Sequence, residues 1–404
     1  MDRLMANLSN QDRLNLRRDY TGPLFLKEGF RPMFIGAGTW AAVAVPLWIC
    51  VWSGHMTYPG AFDPAVWHVH EMIYGFVAAA VGGFMLTAIP NWTGRLPVRG
   101  APLAVLATLW LAGRIAVWFG TEIGPVAAAA IDLSYLTMLG FVVANEIIAG
   151  KNWRNAPLMG GVLLLLLAGN LLFHLDAMGV AATVEIATRL SVSVVIMLIS
   201  VIGGRIVPSF TRNWFARNDG PEIASPMMPF DKLTLGVSVA AFILWIALAD
   251  TEVSGVALAL AGICHLIRLS RWRGWQTLGE GLVTVLHVAY LWVGVGLVLL
   301  GLSAVGSPVP QTGALHVLTI GAMATMILAV MTRAVRGHTG RELTAGTATN
   351  LIYFLVTAAL VLRFTNEFVP AAELVWIAAA AWTGGFVLFL AVHAPMVVRR
   401  PKAV

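Results

Sequence analysis

Charge is what this sequence lacks. Only 11% of its 404 residues are Asp, Glu, Lys or Arg, whereas 58% are hydrophobic. A soluble globular domain carries roughly 25% charged residues. So little charge cannot cover so much apolar surface in water, and the chain is read as residing in a bilayer. Cysteine is equally scarce. Cys50 and Cys264 each sit inside an apolar run and form no Cys-x-x-Cys pair. That argues against a disulfide framework, an iron–sulfur cluster or structural zinc. The stretch from Met1 to Arg18 is polar and basic and lacks the short apolar region of a cleavable signal. No soluble domain or long linker is expected. A net charge of +6 and a pI near 9.7 would suit nucleic acid. The arginines instead punctuate apolar segments, so the basic loops are read as facing anionic lipid, with no nucleic-acid partner.

What is present is a series of apolar segments, each about the 20 residues that a helix needs to cross hydrocarbon. Twelve are expected: 34–53, 66–90, 101–119, 125–149, 156–177, 184–207, 231–249, 252–268, 277–302, 312–334, 346–364 and 370–397. The loops give an independent test. Connections 54–65, 120–124, 178–183, 250–251 and 303–311 contain no Lys or Arg. The alternate connections carry Arg95 and Arg99, Lys151 and Arg154, Arg212 and Arg217, then Arg268, Arg271 and Arg273, then Arg333, Arg336 and Arg341. Arg13, Arg17, Arg18, Lys27 and Arg31 precede the first segment, and Arg399, Arg400 and Lys402 follow the last. Arg363 is the exception. The pattern predicts an all-α integral membrane protein of about twelve transmembrane helices, with both termini cytoplasmic. Residues 1–404 then form a single polytopic membrane domain. Residues 1–33 are its cytoplasmic N-terminal segment, and a Pro-rich cytoplasmic loop at 209–230 joins two six-helix halves. No convincing internal repeat is visible.

Ionisable groups at membrane depth are costly and usually mark function. This topology puts His68 and His70 within about a turn of the outer surface, His174 about 5 Å below it and His316 about 6–7 Å down. His287 falls near the midplane. A lone intramembrane histidine usually serves helix packing. Several at similar depth point instead to a shared ligand, and imidazoles without Cys suit haem iron, copper or catalytic zinc. His68 and His70, two residues apart, point to different sides of a regular helix. Two neighbouring sites, or one ligand with one supporting donor, are therefore expected. Glu71 shares a face with His68, Tyr74 with His70, and Asn170 with His174. Glu71 is a candidate to orient an imidazole, relay protons or join a metal shell. Glu280, two turns below His287, is either a proton carrier or a snorkelling boundary residue. On the inner side, Arg114 and Arg205 lie deep enough to hold an anion such as a haem propionate or lipid phosphate. The loop arginines read as positive-inside anchors, with Gly337 and Gly340 permitting tight turns around His338. The tryptophans at segment ends read as interfacial belts, and the methionines as packing residues.

Several stretches carry a family likeness. Lys27-Glu28-Gly29-Phe30-Arg31-Pro32, Trp67-His68-Val69-His70-Glu71-Met72, Asn91-Trp92-Thr93-Gly94 and Gly203-Gly204-Arg205 are among them. Leu286-His287-Val288-Ala289-Tyr290 follows, and then the stretch from His316 to Arg341, which ends in Arg-x-x-Arg-Gly-His-Thr-Gly-Arg. In this order, over nearly the whole chain, they resemble the NnrS family of membrane proteins. The resemblance implies twelve spans, haem (b-type) and copper, and a link to nitric oxide stress and denitrification in a bacterial inner membrane. Carried over by motif, His68, His70, Glu71, His287, His316 and His338 are site candidates, with Arg205, Arg333 and Arg341 for haem binding. His174 is supported by depth alone.

The leading expectation is an oxidoreductase that reduces nitric oxide at a haem with copper nearby. Glu71, Tyr74 and Glu280 would handle protons, and a quinol or donor protein would supply electrons. A non-catalytic haem/copper protein, as sensor, sink or metal handler, is the alternative. A secondary transporter also fits twelve spans, but no matching pair of Gly/Pro-broken helices supports it.

Overall fold

The computed structural model describes residues 20–223 and 227–399. Arg13, Arg17, Arg18, Pro226, Arg400 and Lys402 fall outside the described residues.

Among the described residues, twelve helices are long and apolar enough to cross a membrane. They are α1 (Phe30–Trp52), α2 (Pro64–Thr93), α3 (Ala101–Trp118), α4 (Pro125–Ala149), α5 (Ala156–Ala177) and α6 (Val184–Phe215). There follow α7 (Pro229–Ala247), α8 (Glu252–Ser270), α9 (Gly281–Ala304), α10 (Gln311–His338), α11 (Thr347–Thr365) and α12 (Ala372–Val398). No strand occurs among the described residues. The protein is thus an all-helical, multi-pass membrane protein.

The helix starts follow local chemistry. Pro lies in the first two positions of α2, α3, α4, α5 and α7. Its missing N–H costs nothing there, and its φ is already helical. Thr251 and Glu280 cap α8 and α9 by accepting from the Ser254 and Leu282 amides at 3.3 and 3.0 Å. α2 ends on Gly94 at φ 68°, a left-handed turn that glycine enters at no steric cost.

Several ends differ from the expected segments: α1 begins at Phe30 rather than 34, and α10 runs to His338 rather than 334, so Arg333, Arg336 and Gly337 are helical and not in a loop around His338. α9 begins at Gly281 rather than 277, because residues 274–276 form a separate 3-10 turn and Glu280 is the cap. His287 therefore lies about 9 Å, six residues, into its 24-residue helix, about halfway between the first residue and the centre. α6 runs on to Phe215 through Pro208, so part of the expected loop 209–230 is helix.

Among the described residues, three helices contain a π-helical turn: Glu71–Val77 in α2, Ile199–Gly203 in α6 and Val317–Ala324 in α10. Two of the three begin immediately after a histidine singled out from the sequence.

The chain forms two compact units. The first comprises 1–44, 50–187 and 393–404, and the second 45–49 and 188–392. In the first, Arg31 Nη1 donates to the Val397 carbonyl, linking the start of α1 to the end of α12. In the second, glycines let α8 and α9 touch backbone to backbone. A Cβ on Gly262 would fall 2.6 Å from the Gly294 oxygen, and one on Gly301 would fall 2.5 Å from the Gly255 oxygen. Within a bilayer, close packing of small residues substitutes for the hydrophobic drive that lipid removes. Arg363, the exception to the loop pattern, pairs with Glu367 at 2.6 Å, so its charge is locally offset.

Candidate metal centre

Asp63 starts α2 by accepting from the Ala65 amide at 2.9 Å. Less than two turns later the winding changes. His70 is the last α-helical residue, and Glu71 opens the π turn. π turns recur at functional sites because the extra residue re-aims side chains. Here sequence neighbours meet: His70 Nδ1 donates to Glu71 Oε1 at 3.0 Å. The carboxylate that helical spacing assigns to His68 thus bonds His70, because the π turn shifts its direction.

His70 Nε2 lies 2.8 Å from Asn170 Oδ1 and 3.2 Å from Asp132 Oδ2. The same Asp132 oxygen accepts from Asn170 Nδ2 at 2.9 Å and from His174 Nε2 at 3.0 Å. Arg114 closes the group. Its Nη1 donates to Glu71 Oε1 at 2.5 Å, and its Nη2 donates to Asp132 Oδ1. Four helices, α2 to α5, supply these side chains, and all are buried. Each sits near the helix end that meets a loop without Lys or Arg, so Arg114, expected on the inner side beside a propionate or phosphate, instead lies at the other end of its helix and pairs with Glu71 and Asp132.

Aromatic rings seal the group. Phe62 covers both imidazoles, its centroid 4.8 Å from that of His70 and 5.2 Å from that of His174. Tyr74 packs on His70 at 5.0 Å, and Phe173 at 5.6 Å. In the loop before α2, Tyr58 donates to the Val117 carbonyl at 3.1 Å. Burial, and then the Glu71 charge, push its phenol above the ordinary range, so it stays a neutral donor. Two polar atoms in the group, Glu71 Oε2 and Arg114 Nε, are buried without a hydrogen-bond partner. A buried orphan atom is costly and calls for a reason.

His70, Asp132 and His174 each offer a ligand atom within 4.8 Å of the others. Among the described residues, no other group of His, Cys, Asp or Glu meets that condition. Two imidazoles with one carboxylate are a transition-metal donor set.

The NnrS protein family model matches residues 24–400. The chain belongs to the NnrS family. Among curated proteins, no sequence matches it.

In this NnrS family member the remaining candidates fall as follows. His68 is half-buried, in the turn that precedes His70. His287 and His316 lie in the second unit, each with its own partners. Thr211 Oγ1 donates to the Val207 carbonyl, so His287 Nε2 donates to Thr211 at 2.8 Å. His287 Nδ1 faces Gly274, where a Cβ would fall 2.4 Å away. His316 Nδ1 donates to the Thr312 carbonyl at 2.7 Å. Glu280 Oε1 accepts from the amides of Leu282 at 3.0 Å and Ala345 at 2.8 Å, so it pins the loop after α10. Arg333 stacks on Phe210, 3.9 Å from the ring centroid. Arg205 and Arg341 are half-buried, and His338 is exposed.

Sequence reasoning missed Asp132, the residue that joins the two histidines. The available signal was an acid seven residues into an apolar segment, with Arg114 in the preceding segment in need of a counter-ion. It also missed a second buried network. Arg268 Nε donates to Asp231 Oδ1 at 2.7 Å, and its Nη1 donates to the Tyr290 hydroxyl at 2.8 Å. Tyr290 donates to His265 Nδ1 at 2.9 Å. Ser238 Oγ is committed as donor to the Thr234 carbonyl, so it accepts from His265 Nε2 at 3.0 Å. This chain of bonds braces α7, α8 and α9.

Proposed function

We propose that this protein binds nitric oxide at a buried metal centre and reduces it, with copper held by His70, His174 and Asp132. The observation that carries the proposal is the buried His/Asp/His group in α2, α4 and α5. Its residues fit a metal. Arg114 occupies Asp132 Oδ1, which leaves Oδ2 as the oxygen facing both imidazoles. Copper bound there would supply a one-electron redox centre.

The haem that the family resemblance implies finds its best support at His316. The bond from Nδ1 to the Thr312 carbonyl fixes the ring and leaves Nε2 as the ligand atom, the usual arrangement for a metal-bound imidazole. His287 fits less well, since its Nε2 is engaged by Thr211 and its Nδ1 faces backbone. Haem at His316 would supply an iron that takes up nitric oxide.

Nitric oxide is small, uncharged and lipid-soluble, so a centre enclosed by helices can receive it from the bilayer. Joining two molecules into nitrous oxide and water consumes two electrons and two protons. A quinol or a donor protein supplies the electrons. Glu71 Oε2, the unpartnered carboxylate oxygen nearest the centre, receives incoming protons, and Tyr74, stacked on His70, orders the approach to it. Phe62 excludes water. The membrane is the bacterial inner membrane, with both termini on its cytoplasmic side. The link from Arg31 to Val397 supports ends that share one side.

The test is spectroscopic and kinetic. Purified protein should show Soret bands that shift on adding nitric oxide, and should consume it when given reductant. Binding without consumption rejects the reductase and leaves a haem/copper nitric oxide-binding protein.

A further inference from the structure

The charge around the candidate metal centre is specific. Imidazole ligates a metal as the neutral ring. The charged side chains in contact with the two histidines are then Asp132 and Glu71, bridged by Arg114. Together they leave one negative charge in a region where each of these side chains is at most 2% exposed. Glu71 Oε2, unpartnered and buried, is the atom on which that excess is uncompensated.

A net charge enclosed by lipid-facing helices is expensive, so the bound ion that suits the group is the one that cancels it. We infer that the His70/His174/Asp132 centre selects a monovalent, imidazole-binding cation, Cu(I) or its redox-inert analogue Ag(I), over divalent ions. A divalent ion would leave one positive charge buried beside Arg114. The donor set points the same way. Two imidazoles suit Cu(I), while Asp132 is shared with Arg114 and Asn170 and is a weakened third ligand. This inference rests on the metal-centre reading above and assigns its charge state.

The experiment uses the full-length chain purified in detergent, carrying Cys50→Ser and Cys264→Ser so that thiols do not bind the probes. Ag(I) and Zn(II) are titrated in competition with chelators, and the same titration is made on His174→Gln. The expected result is one Ag(I) per chain, lost in His174→Gln, with Zn(II) bound at least about tenfold more weakly because it leaves a buried charge. Zn(II) bound as tightly as Ag(I), and also lost in His174→Gln, overturns the selectivity while the metal centre stands. Neither ion depending on His174 overturns both. Arg114→Gln adds a second readout. Removing its charge leaves two negative charges, so the preference should swing toward Zn(II). An unchanged ratio in a folded Arg114→Gln protein overturns the inference. Glu71→Gln, which removes a negative charge and keeps the shape, should weaken both ions and Zn(II) in particular. Unaltered Ag(I) affinity there also overturns it.

Discussion

His70 and His174 meet almost edge to face, with ring centroids 5.5 Å apart and an interplanar angle of 75°. Asp132 Oδ2 lies between their Nε2 atoms, 3.2 and 3.0 Å away. Two imidazoles turned toward one carboxylate oxygen make a site rather than a packing contact.

Asp132 is the hub of its cluster. Asp132→Ala leaves Arg114 buried with only Glu71 as counter-charge and removes the acceptor shared by three donors. Breaking a buried pair in this way costs about 3–5 kcal/mol. Thermal unfolding in detergent should show a large fall in Tm. His174→Ala, which leaves the Arg114 pairs intact, should lower it much less.

Haem and copper should separate by mutation. His316→Ala should strip haem and leave copper, whereas His70→Ala should strip copper and leave haem. Metal analysis alongside the Soret absorbance checks this. Loss of both cofactors from either variant, with the fold intact, contradicts the assignment.

α8 and α9 should not tolerate a methyl group at their crossing. Gly262→Ala puts its Cβ 2.6 Å from the Gly294 oxygen, and backbone cannot yield as a flexible side chain does. Overpacking of this kind costs about 1–3 kcal/mol. Gly236→Ala, on α7 with no atom within 4 Å of the added Cβ, is the control and should unfold like the parent.

Tyr290 links Arg268 to His265 through one hydroxyl. Tyr290→Phe keeps the ring but leaves a buried guanidinium N–H and a buried imidazole nitrogen each short of a partner, at about 1–3 kcal/mol per group. Chemical or thermal unfolding should show the loss. Unchanged stability would mean that the brace between α7, α8 and α9 does not depend on this hydroxyl.

Much of the architecture was legible in the sequence. Twelve apolar runs of spanning length, set off by Pro, Gly and arginine-bearing loops, are a one-dimensional signal. Lipid demands that each span satisfy its own backbone, so length and composition alone identify a spanning helix. The histidines were legible for the same reason: an ionisable group in an apolar run stands out wherever its partners lie. The choice among them was not. His70 and His174 met, as similar depth suggested. The carboxylate that joins them, Asp132, lies on a third helix, and nothing in its own apolar segment marks it as their partner. Glu71 pairs with His70 because a π turn begins between them, and neither composition nor a 3.6-residue period announces a π turn.

Sequence by itself therefore determined that the chain crosses the membrane, where its helices lie, and that its buried imidazoles need an explanation. Only the tertiary structure decided which of them share an acceptor, because contacts between α2, α4 and α5 depend on how helices rotate about their axes. In lipid, that rotation is chosen by polar groups finding one another and by small residues allowing close approach, not by an apolar face seeking cover.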